Sequence, residues 1–257
     1  MNARQLYGTD QPPPHRKILS AGKASVTLEN GQLRHLRVGE AEAIRAVSFL
    51  VRDRDWGTVD PAITDLQITA GDTTRVSYTA RYTIGSGMLE TQVTLTLAPD
   101  RFDAEAVAIA HGDVQTNRAG FTVLHPINGV AGAPVEVEHA DGSLQKTRFP
   151  SLIAPWQPFM NIRALTHSAS GLKITCEFEG DVFEMEDQRQ WGDASYKTYN
   201  RPLALPWPYM IANGEQIRQA VRLRWQAART QAPIPAMRPR TVQNRFPQTA
   251  LLLDAEQ

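Results

Sequence analysis

A single cysteine, Cys176, stands in 257 residues, so the chain cannot close a disulfide within itself. One thiol also leaves no CxxC pair, and the 6 histidines are scattered without HExxH-type spacing. A dedicated metal site is therefore not expected. No apolar run is long enough for a transmembrane helix, and MNARQLYGTDQPPPHRK lacks the apolar core of a secretory signal. Lys plus Arg and Asp plus Glu both number 27, which removes any net pull toward nucleic acid or an anionic membrane. There is no glycine-rich phosphate loop. Ser195 lies in DASYK rather than a GxSxG elbow, and Lys197, two positions on, does not complete an SxxK pair. These absences predict a cytoplasmic protein that works without metal or cofactor and binds neither nucleic acid nor membrane.

What is present is β-strand pattern. Hydrophobic residues at 42% and charged residues at 21% suit an ordinary globular core. In ASVTLENGQLRHLRVG, Val26 and Leu28 alternate with polar residues up to Asn30-Gly31, which predicts a hairpin. AIRAVSFLVRD (43–53) fits a short helix or a buried strand equally. From Ile63 to His111, four alternating segments separated by Gly, Pro and Asp predict an antiparallel meander. GFTVLHPI is another strand, APVEVEHADGSLQKTRF a hairpin turning at Asp141-Gly142, and FPSLIAPWQPF a stiff proline-rich bend. IRALTHS, LKITCEFEG, VFEMED and NGEQIRQAVRLRW complete the set. Fold class follows: all-β, a large antiparallel β-sandwich at residues 18–229. Residues 1–17 read as an irregular lead-in stiffened by Pro12 to Pro14, and 230–257 as a proline-containing tail or linker.

Chemistry concentrates between Asp181 and Pro208. Glu184 and Glu186 point to one face of an extended strand, Phe183, Met185 and Asp187 to the other. Two enclosed carboxylates can split into an acid and a base; two solvated carboxylates on a wet face do nothing. Arg189 and Lys197 can orient a carboxylate or stabilise an oxyanion. Trp191, Tyr196 and Tyr199 are flat surfaces that can stack on sugar rings, with Asp193 beside them, or they can be ordinary core. His125 and His139 sit at strand ends, where rigid scaffolds hold site residues. Cys176, among apolar neighbours in LKITCEF, reads as a small buried hydrophobe. Arg218, Arg222 and Arg224 share one face of the last strand, a solvated face or a partner contact.

GFTVLHPI, PVEVEHADGS, RFPSLIAPWQPF, IRALTH and FEMEDQRQWGDASYKTYNRPLALPWPY together resemble the N-terminal region of the D-apionate lactonase family. These bacterial enzymes hydrolyse a branched-sugar lactone in apiose catabolism. The likeness runs from about Leu6 to Trp225. It implies a supersandwich similar to the galactose mutarotase-like folds, followed in the family by a TIM barrel and a small C-terminal domain. No alternating βα pattern follows the sandwich here.

The expected function is hydrolysis of a D-apionolactone-like sugar lactone on the concave face of the sandwich. Glu186 or His125 would be the base, His139 the acid, and Arg189 and Lys197 the oxyanion and substrate donors. Glu184, Asp187, Trp191, Asp193, Tyr196 and Tyr199 would shape the substrate site. A mutarotase or epimerase would use similar acid–base groups. The alternative is a non-catalytic carbohydrate-binding or accessory module in which the same charges only brace a loop. An exposed sandwich edge offers a route to a homodimer.

Overall fold

The computed structural model describes residues 3–10 and 15–228. Residues 3–7 form a short helix, α1, built from the good helix formers Ala3, Arg4, Gln5 and Leu6. Gly8, at φ 73°, ends it by returning its N–H to the Arg4 carbonyl. That corrects the irregular lead-in expected there. Pro12 to Pro14 and residues 230–257 lie outside the described residues.

The remainder is strand. In chain order these are β1 (Arg16–Ala21), β2 (Ala24–Glu29), β3 (Gln32–Val38), β4 (Ala41–Arg52), β5 (Ala62–Thr69) and β6 (Thr74–Ile84). They continue as β7 (Gly87–Ala98), β8 (Arg101–His111), β9 (Val114–Thr116), β10 (Arg118–Pro126), β11 (Pro134–His139) and β12 (Leu144–Arg148). The last six are β13 (Ile162–Ala169), β14 (Leu172–Glu179), β15 (Phe183–Asp187), β16 (Ser195–Asn200), β17 (Tyr209–Ile211) and β18 (Gln216–Ala227). Sixteen of them make one sheet in the order β1-β2-β3-β4-β10-β16-β15-β13-β14-β18-β8-β7-β6-β5, with β11 and β12 attached beside β13. β9 and β17 form a separate pair.

This sheet curls until its two ends meet, which is how one sheet becomes a sandwich. Phe49 of β4 packs its ring 6.1 Å from Tyr82 of β6, and the Tyr82 hydroxyl donates to the Phe49 carbonyl at 3.0 Å. Tyr78 bonds the Gly31 carbonyl at 2.6 Å in the same way. Phe121 N–H of β10 donates to Gln219 Oε1 of β18 at 2.8 Å. Between the layers lies one hydrophobic core. Val47, Phe49, Val51, Phe121, Val123, Phe183, Met185 and Tyr196 come from one side, and Val93, Leu95, Phe102, Val221 and Leu223 from the other. Ala104, Ala106, Ala108 and Ala110 put four small side chains in a row on β8, so the layers approach closely there.

The hairpin at Asn30-Gly31 forms as expected, with both residues at positive φ (47° and 72°), the backbone a tight antiparallel turn requires. The segment left open between helix and strand is β4. A register shift between Leu36 and Arg37 on its neighbour falls where Ala43 and Ile44 are both buried, and Ala46 and Val47 are both buried as well, so the alternation is broken. On β18, Arg222 pairs with Glu179 (2.6 Å) and Glu105 (2.9 Å), and Arg224 with Asp103 (2.7 Å). Arg222 and Arg224 thus form a cross-strand ion-pair ladder, while Arg218 donates to Gln216 Oε1 at 3.1 Å.

Candidate active site on the outer face

Strand pairing brings residues far apart in sequence onto one surface. β4, β10, β16 and β15 are consecutive neighbours. Arg118 stands opposite Arg52, Thr122 opposite Tyr199, and Leu124 opposite Lys197. Tyr199 and Lys197 stand opposite Glu184 and Glu186. Because paired residues share a face, Arg52, Arg118, Tyr199, Lys197, Glu184 and Glu186 all project from the side turned away from the core, here called the outer face. Phe121, Val123, His125, Thr198, Tyr196 and Asp187 project the other way, as the parity of the strand predicts.

Glu186 and Lys197 form an ion pair at 2.7 Å, with about a fifth of each side chain exposed (21% and 16%). The Trp191 indole N–H donates to the other Glu186 oxygen at 2.6 Å. Burial pushes the Glu186 carboxyl up. The hydrogen bond and charge of Lys197, the Trp191 bond and the Arg118 charge outweigh it, leaving Glu186 below the usual carboxylate range. Burial lowers Lys197 below an ordinary lysine, partly offset by Glu186; the charges of Arg118 and Arg52 lower it further. Trp191 is otherwise exposed, with its ring free to meet a ligand.

A pair of tryptophans lies beside Arg118. Trp56 and Trp207, from the loops after β4 and β16, meet edge to face at 5.3 Å. Arg52 holds the first loop by donating to the Trp56 carbonyl (3.0 Å) and the Thr58 hydroxyl (2.6 Å). Glu184 is buried and committed: it accepts from the Tyr199 hydroxyl at 2.7 Å and from Leu203 N–H at 2.9 Å, anchoring the second loop. Arg118 lies with its guanidinium 3.8 Å from the Tyr199 ring centroid and 5.5 Å from that of Trp56.

The other sequence-predicted residues are elsewhere. Asp187, fully buried on the core side, takes a two-pronged bond from Arg189 (2.9 and 2.7 Å) and a third from Ala154 N–H. Arg189 spends its remaining donors on the carbonyls of Pro150, Ser151 and Leu152. The Tyr196 hydroxyl also donates to the Pro150 carbonyl. Asp187, Arg189 and Tyr196 thus clamp the proline-rich bend to the short 3₁₀ turn at Gln188–Trp191. Asp193 accepts from the Ser195 hydroxyl at 2.6 Å within its own loop.

His125 is sealed in the core, its Nε2 2.9 Å from the Thr198 hydroxyl and its ring 6.2 Å from that of His167. Burial, then the neighbouring His167, lowers it to about 3. His125 and Glu186, the two alternatives expected for the base, therefore lie on opposite faces. His139 places Nδ1 2.9 Å from the Met160 carbonyl, and its strand pairs with β12 and β13 rather than with β16. Sequence reading missed Arg118, Trp56 and Trp207.

A separate open cleft of about 1500 Å³, between β11–β12 and the ends of β13, β14 and β18, is lined by none of the sequence-predicted site residues. Among the described residues no group of His, Cys, Asp and Glu is arranged to hold a metal ion, and no helix is long and apolar enough to cross a membrane.

Solved structures share this architecture. The fold matches galactose 1-epimerase from Lactobacillus acidophilus with a TM-score of 0.55 at 9% identity, covering 86% of this chain and 97% of that one. It matches the Slr1438 protein of Synechocystis sp. PCC 6803 with a TM-score of 0.60 at 10% identity, over 86% and 98% of the two chains. At such identities the likeness is one of fold. In sequence, the chain is 48% identical over 225 residues to the D-apionate lactonase of Brucella anthropi, which covers 85% of this chain. The chain spans 36% of that relative's length. The model of the N-terminal domain of D-apionate lactonase matches residues 4–228, and the likeness seen in the residues from Leu6 to Trp225 is thereby borne out. The chain belongs to the D-apionate lactonase N-terminal domain family.

Proposed function

We propose that the outer face is a carbohydrate site and that the chain acts on a sugar lactone of the D-apionolactone type. The observation that carries this reading is the Glu186–Lys197 pair, part-exposed, with Trp191 bonded to it and Arg118 beside it. Family membership points the same way.

Lactone hydrolysis needs a base for water, positive charge at the developing oxyanion and a proton for the leaving ring oxygen. Glu186, held ionised, accepts the proton from water as its oxygen attacks the carbonyl carbon. Arg118 and the Lys197 ammonium face the oxyanion. As the ring C–O bond breaks, Lys197 gives a proton to the leaving oxygen, and solvent restores both groups. The products are one hydroxy carboxylate and one proton per lactone. His125, His139 and Arg189 have no part in this scheme.

A second reading is favoured by a specific observation: the charged residues of the 184–197 segment are largely paired with one another. Such pairing is what a binding module with a braced loop requires. A pH-stat assay of acid release from aldonolactones, D-apionolactone included, separates the two after spontaneous opening is subtracted. Saturable turnover supports the lactonase. Saturable calorimetric binding of the lactone without turnover supports the module and overturns the hydrolytic scheme.

A further inference from the structure

Of the charged side chains that β4, β10, β16 and β15 bring together around Glu186, each has a hydrogen-bond or ion-pair partner except Arg118. Lys197 has Glu186, and Arg52 has the Trp56 carbonyl and the Thr58 hydroxyl. Glu184 is taken up by Tyr199 and Leu203. Arg118 is only 5% exposed, yet among the described residues no carboxylate lies within ion-pair distance and its guanidinium makes no hydrogen bond. Its Nε is sealed from solvent and unpartnered, whereas its terminal nitrogens are not sealed. The Tyr199 and Trp56 rings attract the cation but offer no in-plane acceptor. A buried charge left in this state is costly, and stability alone does not favour it. Local rules broken in this way mark sites that are completed by a ligand.

The charges that face Arg118 are Glu186, Glu184 and Arg52, and Lys197 faces the same group. Three cations against two carboxylates leave one positive charge. A monoanion neutralises it, whereas a phosphate dianion would meet the two glutamates with charge to spare. The planar fork of an arginine matches a carboxylate by two parallel bonds. We infer that Arg118 is the carboxylate-recognition residue of this face, and that the site takes open-chain sugar acids, the product class of lactone opening. This rests on the carbohydrate reading above. Recognition of the product acid makes aldonates competitive inhibitors of any lactone reaction here.

The test is calorimetry on the full chain with sodium D-apionate and with neutral D-apiose. The wild type is expected to bind apionate at least about tenfold tighter than apiose, the order a charge-assisted pair provides. Arg118→Met is expected to abolish that preference while changing apiose affinity less than about threefold. Arg118→Lys, which keeps charge but loses the fork, should fall between. Apionate should raise the melting temperature of the wild type and not of Arg118→Met, and the variant alone should melt no lower than the wild type. Equal binding of apionate and apiose by the wild type overturns the inference and leaves the carbohydrate site standing. So does a loss of both ligands in equal measure in Arg118→Lys. Failure of the wild type to bind either ligand sinks both readings.

Discussion

Acidification should unfold this protein through two buried histidines. His125 and His167 sit in the core with their rings 6.2 Å apart, and the Phe149 ring lies 5.2 Å from His167. The Thr198 hydroxyl bonds one His125 nitrogen, and neither nitrogen of His167 has a partner. Among the described residues no carboxylate faces either ring to stabilise an imidazolium, so burial holds His125 at about 3 and His167 at about 4, against 6.5 for a free histidine. Both folded values are depressed. Their contribution is therefore intact above pH 6.5 and is lost as pH falls, because the unfolded chain takes up protons that the folded chain refuses. At about pH 5 each histidine favours unfolding by about 2 kcal/mol, together about 4 kcal/mol, a large share of a typical domain's stability. Glu186 and Asp187, both held below the usual carboxylate range, add little in that interval. Urea melts followed by tryptophan fluorescence at about pH 8 and about pH 5 read the difference directly. The double variant His125→Gln/His167→Leu should lose most of the pH dependence, whatever its absolute stability. A wild type that loses less than about 1 kcal/mol over this interval, or a double variant with the full slope, refutes the reasoning.

Three further outcomes are expected. Arg189→Met should cost about 3 kcal/mol in denaturant melts, because it leaves the buried Asp187 carboxylate with only backbone donors; a loss below about 1 kcal/mol contradicts the clamp. Gly120→Ala should destabilise by about 1–3 kcal/mol, since a Cβ there collides with Asn200 Oδ1 and the Gln219 amide, and thermal melting checks it. In the pH–rate profile, the acid limb should lie below the usual carboxylate range and the alkaline limb below that of an ordinary lysine. This follows from the lowered Glu186 and Lys197, and limbs at unperturbed values would remove them from the rate.

The all-β architecture was legible because period-two alternation and turn chemistry are local. Asn30-Gly31 needs only its own positive φ values to make its hairpin. β4 was ambiguous because adjacent buried residues, Ala43 with Ile44 and Ala46 with Val47, hide the alternation. β9 and β17 are three-residue strands, too short to show a period. In the site, the shared face of Glu184 and Glu186 could be read from parity alone. Parity also held the answer for His125, which follows Phe121 and Val123 at steps of two and so belongs to the core. Arg118 and Trp56 could not be read this way. Arg118 joins the face of Glu186 only through the pairing of β4, β10, β16 and β15, in which β10 meets partners 66 to 78 positions away in the chain, and Trp56 joins it through Arg118. Asp187 and Arg189 looked like chemistry because dense charge in a loop serves bracing and catalysis alike.

The most direct measurement is kcat/KM for acid release from D-apionolactone by Glu186→Gln and His125→Gln, side by side at about pH 7.5 with the wild type. Chemistry on the outer face predicts a loss of at least about a hundredfold in Glu186→Gln, the scale of a removed general base, with kcat/KM within about threefold of wild type for the folded fraction of His125→Gln. A Glu186→Gln enzyme that turns over normally, or a folded His125→Gln enzyme that does not, would contradict it.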